Sequence, residues 1–207
     1  MIAVIDSGLS NIGSVLTALQ RIGAKAEPTR DPAEVAAAAS LLLPGVGAFG
    51  DGMTALRQQG LVEPIRAHAA AGKPILGICL GMQLLASASE EFGEHQGLGL
   101  IPGRVRRLRP QAGLRVPNIG WCGLQARNDA QLFADIPADA CFYFVHSYVI
   151  DCDTAEDCAG TLTFGDDEET VAVQRGRIFG AQFHPEKSQD AGLAVLDAFR
   201  RIGERLQ

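Results

Sequence analysis

The chain has 207 residues, of which 47% are hydrophobic and 20% are charged, and its formal net charge at pH 7 is −6. This length and composition are typical of one globular domain, which we expect to cover residues 1–207, and they exclude the disordered and fibrous classes. The acidic charge balance argues against nucleic acid or an anionic membrane as the main partner.

Short apolar runs alternate with helical patterns in the first half of the chain. The runs are bounded by turn residues, and the helical patterns carry apolar residues three and four positions apart. The pair Asp31-Pro32 is typical of a helix start, with Asp as the N-cap. We predict strands at residues 2–5, 40–43 and 74–78, and helices at residues 12–22, from 31 into the alanine run 36–39, after 51, at 62–71 and directly after 79.

The second half is richer in strand patterns, at residues 105–108, 141–150, 160–164, 171–175 and 178–183. Breaks at 166–167 and 175–176 indicate antiparallel hairpins on one side of the sheet. A last helix from about Asp190 carries apolar residues on one side: Leu196, Phe199, Ile202 and Leu206. Together the patterns predict an α/β fold, a mixed, mainly parallel twisted sheet with helices on both faces. Ligands of such sheets bind beyond the carboxyl ends of the strands.

Cys79 stands in the most informative segment, GICLGMQ at residues 77–83. A buried strand runs into this cysteine and a helix starts at once, with Gly77 and Gly81 two positions to either side. This layout is typical of a nucleophile elbow, in which the sharp turn presents the side chain clear of the sheet. The helix dipole favours the thiolate, and the N–H of Leu80 would point at an oxyanion. The alternative is a small buried core cysteine.

A partner for the thiol follows the last strand, in the segment FHPEKS at residues 183–188. His184 is expected at the strand terminus, and Pro185 prevents the strand from continuing. Glu186 is close enough in sequence to hydrogen-bond the imidazole, fix its tautomer and support the imidazolium. The alternative is an ordinary surface turn. Cys79, His184 and Glu186 together predict a triad of nucleophile, base and orienting carboxylate.

A glycine-rich loop, PGVGAFG at residues 44–50, follows another predicted strand. The backbone N–H groups of Gly45, Val46 and Gly47 are candidates for the second oxyanion donor. A phosphate cradle is disfavoured, because the segment lacks a Walker lysine and does not match G-x-G-x-x-G. The remaining alternative is an ordinary turn at a strand end.

The cysteines and histidines give no pattern typical of a metal site or a disulfide framework. The five cysteines (Cys79, Cys122, Cys141, Cys152 and Cys158) are odd in number and contain no C-x-x-C. No two of the four histidines are at helical ligand spacing. We therefore expect no metal and no cofactor. The N-terminal residues lack a basic region, so we expect no signal peptide and a cytoplasmic location.

These residues carry a resemblance to a known family. GICLGMQ around Cys79, FHPEKS around His184 and Glu186, and the loop PGVGAFG resemble the class I, triad-type glutamine amidotransferases. Met82 and the pair Lys187-Ser188 are most like the glutaminase subunits of imidazole glycerol phosphate synthases. The resemblance covers nearly the whole chain and implies the flavodoxin-like form of the α/β fold.

The resemblance implies a reaction and further site residues. Cys79 would attack the side-chain amide of glutamine, His184 would carry the proton to the departing ammonia, and water would release glutamate from a γ-glutamyl thioester. By analogy, the residues that hold the glutamine head group are Gln83, Glu91, Ser147 and Tyr148. A solvated surface acid is the alternative for Glu91.

The resemblance also implies a partner, a (β/α)₈-barrel cyclase subunit that forms a heterodimer with this chain. Ammonia would pass to this subunit, which makes imidazole glycerol phosphate and an aminoimidazole carboxamide ribotide in histidine biosynthesis. Asn11, Trp121 and Lys187 are similar to positions that face the barrel, whereas Trp121 taken alone fits a core aromatic equally well.

The chain departs from the family pattern near this face, at Asn118 and Cys122. Three alternatives follow: a barrel partner that aminates a cell-surface sugar, a non-catalytic regulatory subunit, or a glutaminase without a synthase.

Overall fold

The structure, a computed structural model, describes residues 1–111 and 113–205. Its first half forms, in chain order, β1 (Ile2–Ile5), α1 (Ile12–Arg21), β2 (Ala26–Thr29), α2 (Pro32–Ala37), β3 (Ser40–Gly45), α3 (Phe49–Gln58), α4 (Val62–Ala70), β4 (Ile75–Cys79), α5 (Leu80–Leu84), β5 (Ala86–Ser89) and β6 (His95–Gln96). The second half forms β7 (Ile101–Arg107), β8 (Asn118–Gly123), β9 (Gln125–Ala126), β10 (Cys141–His146), β11 (Tyr148–Cys152), β12 (Cys158–Phe164), β13 (Asp167–Arg175), β14 (Ile178–Ala181) and α6 (Gln189–Glu204).

A central eight-stranded sheet organises these elements, in the order β2-β1-β3-β4-β14-β13-β12-β9. The strands from β2 to β14 pair in parallel, and those from β14 to β9 pair antiparallel. A second sheet has the order β11-β7-β5-β6, and β8 and β10 form a two-stranded ribbon. The predicted mixed, mainly parallel sheet and the predicted hairpins are therefore confirmed.

Two apolar cores lie on opposite faces of the central sheet, because its inner strands are buried on both sides. In β1, Ile2 and Val4 join one core, while Ala3 and Ile5 join the other. The first core packs α1, α6 and the ribbon; the second packs α2, α3, α4 and the four-stranded sheet. Helices thus cover both faces, as predicted.

The run predicted as one strand over residues 141–150 is two strands, and this prediction was wrong. β10 ends at His146 and β11 begins at Tyr148, and the two belong to different sheets. The imidazole of His146 hydrogen-bonds the carbonyl of Tyr148 through Nδ1 at 3.0 Å, which closes a tight bend at Ser147. Apolar content alone does not reveal such a bend.

Several element ends also differ from the predictions. β7 begins at Ile101 and β13 at Asp167, each about four residues before the predicted start. The helix expected after Asp51 begins earlier, at Phe49, whose N–H donates to the Glu91 carboxylate at 2.6 Å. The strand expected to reach residue 183 ends at Ala181, because the N–H of His184 donates to Tyr143 of the ribbon at 3.0 Å and draws the chain out of the sheet. α6 begins at Gln189, and Leu206 lies outside the described residues.

Several strands were not predicted, namely β2, β5, β6, β8 and β9. β2, β5, β6 and β9 are short and built mainly of small and polar residues, so their sequences lack an apolar period of two. β8 does alternate, but its large apolar residues Ile119 and Trp121 are on its exposed side. Across the described ranges, no helix combines the length and apolarity needed to cross a bilayer.

Candidate active site

The thiol of Cys79 stands at the turn between β4 and α5. Its backbone has φ +54° and ψ −113°, a conformation that residues other than glycine rarely adopt. Such a conformation costs about 1–3 kcal/mol and persists only where the surroundings enforce it. The elbow inferred from the sequence is therefore a geometric fact, and it places the thiol at the carboxyl end of a central strand.

The turn requires glycine at both Gly77 and Gly81, because neither position has room for a side chain. A Cβ atom on Gly77 would lie 2.6 Å from the carbonyl oxygen of Gly81. A Cβ atom on Gly81 would lie 1.7 Å from the carbonyl oxygen of Leu43 in β3. The glycines allow close approach of three backbone segments, and this approach fixes the position of the Cys79 thiol.

His184 and Glu186 form a buried pair, of which His184 lines the same cavity as the thiol of Cys79. Nδ1 of His184 lies 2.8 Å from Oε1 of Glu186, and both side chains are 3% exposed. Ser188 donates from its hydroxyl to the carbonyl of His184 at 2.6 Å, which fixes the backbone of this turn. Because Nδ1 faces the carboxylate, Nε2 is left to face the thiol of Cys79, and no nitrogen or oxygen of another described residue occupies it.

The pKa of His184 is raised from 6.5 to about 9 by its polar neighbours. Burial alone lowers this pKa, but interactions with Cys79 and Glu186 outweigh it. The imidazolium is therefore the stable form of His184 around neutral pH. An imidazolium can form an ion pair with a thiolate and can act as a general acid.

A cavity of about 590 Å³ opens above the thiol. Most of the residues selected from the sequence line it: Val46, Gly47, Cys79, Leu80, Gln83, Glu91, Ser147, Tyr148 and His184. Gly45 lies beside it, paired with Cys79 across β3 and β4. Sequence reasoning missed other lining residues, namely Phe92, Arg107, Pro117, Val145 and His146. No local motif marks them, and only the fold brings them together.

The two sets of oxyanion candidates differ in availability. Leu80 is the first residue of α5, so its N–H has no partner within the helix. The N–H of Val46 donates to the carbonyl of Leu9 at 2.7 Å and is engaged elsewhere. Gly47 has φ +101°. In this structure the N–H of Leu80 is free of helix bonding, whereas the N–H of Val46 is bonded to Leu9.

The candidate head-group residues are partly engaged with each other. Gln83 donates through Nε2 to the carbonyl of Tyr148 at 3.2 Å. Glu91 uses Oε2 to accept from Phe49, and burial raises the pKa of its carboxyl despite that bond. Glu91 is buried, so the surface-acid alternative does not hold.

Two of the three candidate partner residues, Trp121 and Lys187, lie at the ribbon, and Asn11 lies at the start of α1. Trp121 is 49% exposed, which excludes the core-aromatic alternative, and its ring meets Tyr143 edge-on with centroids 5.9 Å apart. Nζ of Lys187 lies 6.0 Å from the centroid of the Tyr143 ring. Asn11 is exposed, and its side chain caps α1 by accepting from the N–H of Ser14 at 3.3 Å.

Comparisons with known proteins agree on one family. The model of the family described as "Glutamine amidotransferase class-I" matches residues 3–200. The chain is 51% identical to the "Imidazole glycerol phosphate synthase subunit HisH" of Moorella thermoacetica, over 97% of this chain and 94% of the relative. It is 46% identical to the protein of the same description from Desulfitobacterium hafniense strain DCB-2, over 96% and 93%.

Solved structures agree on the fold. PurLQS from Thermotoga maritima superimposes with a TM-score of 0.77 at 20% identity, covering 97% of both chains. A structure described as a glutamine amidotransferase gives a TM-score of 0.75 at 20% identity, covering 98% of both chains. At these identities the likeness concerns the fold alone.

Proposed function

Because this chain belongs to the glutamine amidotransferase class-I family, we propose that it is the glutaminase subunit of an imidazole glycerol phosphate synthase, with residues 1–207 forming one amidotransferase domain. The observation that carries the proposal is that Cys79 and His184 line one cavity while Glu186 hydrogen-bonds the imidazole of His184. The relatives described as HisH support the histidine pathway over amination of a cell-surface sugar.

Cys79 is the proposed nucleophile. Its thiolate attacks the amide carbon of the glutamine side chain, and the imidazolium of His184 gives its proton to the nitrogen as the carbon–nitrogen bond breaks. Ammonia leaves and a γ-glutamyl thioester remains. His184 then takes a proton from water, the water oxygen attacks the thioester, and glutamate leaves as the thiolate is restored. Glu186 holds the imidazole in the required tautomer.

The tetrahedral intermediates need two hydrogen-bond donors for their oxyanion. The N–H of Leu80 supplies one, and the loop of Gly45, Val46 and Gly47 supplies the second. Val46 becomes a donor only when its N–H leaves the carbonyl of Leu9. The resting chain is thus a poor glutaminase, and full activity requires the loop to turn.

The glutamine head group is held at the far side of the cavity. Glu91 accepts from the α-ammonium group through Oε1, which has no partner among the described residues. Arg107 lines the same cavity and offers a guanidinium to the α-carboxylate. Gln83 and the backbone of Ser147 and Tyr148 complete the binding site.

The proposed partner is a (β/α)₈-barrel cyclase subunit, joined in a cytoplasmic heterodimer through a face that includes Asn11, Trp121 and Lys187. Trp121 is half exposed on β8, two positions from the exposed Ile119, and a partly exposed tryptophan is a typical interface anchor. Ammonia passes through this interface, so it is used before it is lost to solvent.

The test is reconstitution of the chain with a histidine-pathway cyclase and its ribotide substrate. Glutamine should support formation of imidazole glycerol phosphate with the unaltered chain and fail with Cys79→Ala, because the thiolate is lost. Ammonium salts should support synthesis with the unaltered chain and with Cys79→Ala alike, since the second reaction takes place on the cyclase subunit. Glutamate release by Cys79→Ala above a few per cent of the unaltered rate would refute the nucleophile assignment.

A further inference from the structure

Gln182 is a buried residue that the mechanism above does not use. It lies two positions before His184 and is 0% exposed. Its Nε2 lies 3.8 Å from Sγ of Cys79, within hydrogen-bond distance for sulfur, and its Oε1 accepts from Nε2 of Gln83 at 3.0 Å. It does not line the cavity, so it contacts the sulfur from within the protein interior.

The orientation of this amide follows from a backbone carbonyl. The oxygen of Tyr148 can only accept, and Nε2 of Gln83 lies 3.2 Å from it. The NH₂ group of Gln83 is therefore the end that also faces Gln182, which must present its oxygen in return. The NH₂ group of Gln182 is left to point at the sulfur of Cys79.

The same carbonyl is fixed by a neutral histidine. Nδ1 of His146 donates to Tyr148 at 3.0 Å, so Nε2 is unprotonated and accepts from Nδ2 of Asn118 at 3.2 Å. Burial lowers the pKa of His146 to about 4, which keeps it neutral at physiological pH. The carbonyl of Tyr148 thus accepts from both His146 and Gln83. From Gln83 the donors run one way, to the oxygen of Gln182 and from its NH₂ group to the sulfur.

We propose that Gln182 is a positioning residue that donates a hydrogen bond to the sulfur of Cys79, holds it for attack and stabilises its thiolate form. This inference rests on the proposed role of Cys79 as nucleophile. A hydrogen bond to an anionic acceptor is stronger than one to a neutral acceptor, so the amide favours thiolate over thiol. An amide N–H does not ionise in this pH range, so it does not compete with His184 for the proton.

The experiment measures alkylation of Cys79 by iodoacetamide between pH 5 and 10, followed by mass spectrometry of the peptide that carries it. Gln182→Met removes the donor at similar volume, and Gln182→Glu replaces it with an acceptor at the same shape. The matched control is Gln174→Met, since Gln174 is hydrogen-bonded to the backbone of Gln131 and does not line the cavity. Circular dichroism selects the folded variants, and either Gln182 variant suffices.

We expect alkylation at pH 7 to slow about tenfold in Gln182→Met and further in Gln182→Glu, with the midpoint of the pH profile about one unit higher. Gln174→Met should match the unaltered chain. In the reconstituted complex kcat for glutamine hydrolysis should fall in Gln182→Glu while KM is unchanged, because glutamate keeps the oxygen that accepts from Gln83. A folded Gln182 variant with the unaltered pH profile, or an equal shift in the control, would overturn the inference. Alkylation is read without glutamine, so a chain lacking glutaminase activity would contradict the proposed function and leave this test intact.

Discussion

The two segments that flank the sulfur of Cys79 are held in opposite ways. The elbow is fixed, because Gly77 and Gly81 bring three backbone segments into contact with no space left between them. The loop through Val46 and Gly47 is loosely held: Val46 is 43% exposed, and a Cβ atom on Gly47 would meet nothing within 4 Å. This difference is consistent with the proposal that the nucleophile is held in place while the second oxyanion donor turns.

The largest expected effect concerns the buried pair of His184 and Glu186, which serves the thiol held at the elbow. We expect His184→Ala to lower kcat/KM for glutamine by about 10⁶, and Glu186→Gln to lower it by one to two orders of magnitude less, because an orienting carboxylate is one step removed from proton transfer. Steady-state glutamate release in the reconstituted complex measures both. Equal losses in the two folded variants would assign Glu186 a more direct role.

The movable part is tested by adding the partner. Glutamine hydrolysis should be slow for the chain alone and should rise about 10²- to 10³-fold when the cyclase and its ribotide are both bound, the range expected for gaining one oxyanion donor. The rise requires that the complex prefer the turned loop. Rates are measured for the chain, for the complex and for the complex with ribotide. One rate throughout would favour a stand-alone glutaminase.

Matched glycine substitutions compare the two segments directly. Gly81→Ala should lower the free energy of unfolding by about 3 kcal/mol, because its new methyl group meets the backbone of Leu43. Gly47→Ala should cost about 1 kcal/mol, since only its positive φ is unfavourable. Urea unfolding followed by circular dichroism gives both values. Equal costs would contradict the contrast between a fixed elbow and a loose loop.

The smallest expected effect concerns pH. The pKa of His184 is raised to about 9, so the imidazolium is present below that pH and is lost as the pH rises through it. We expect kcat/KM to fall about tenfold per unit above pH 9, because the leaving nitrogen then lacks its acid. In Glu186→Gln the fall should begin at lower pH, since one cause of the raised pKa is removed.

Glu168→Gln is the control for this profile, because Glu168 lies on β13 and bonds only Thr163 among the described residues. In Glu168→Gln the fall in kcat/KM should begin at the same pH as in the unaltered chain. A shift in this control would mean that the profile reports the general charge of the molecule instead of the buried pair.

The sequence was informative where chemistry depends on local turns. Gly77 and Gly81 around Cys79, and the short segment from His184 to Glu186, revealed the elbow and the pair because each is built from neighbouring residues. Arg107, His146 and Gln182 carried no such signal. Gln182 meets Cys79 from 103 positions away, and that contact exists only after β14 pairs with β4. The bend at Ser147 was hidden for the same reason, since its two strands belong to separate sheets.

The bond from the N–H of Phe49 to Glu91 sets the limits of the movable loop. On one side Gly45 is paired with Cys79 in the central sheet, and on the other α3 is tied at its first residue to a carboxylate in the substrate cavity. Only residues 46–48 lie between the two anchors. A segment this short has little conformational entropy to lose. One peptide can therefore turn without a rearrangement of the rest of the loop. Such a device is suited to rapid and reversible switching, and glutamine bound at Glu91 would sit on one of its pivots.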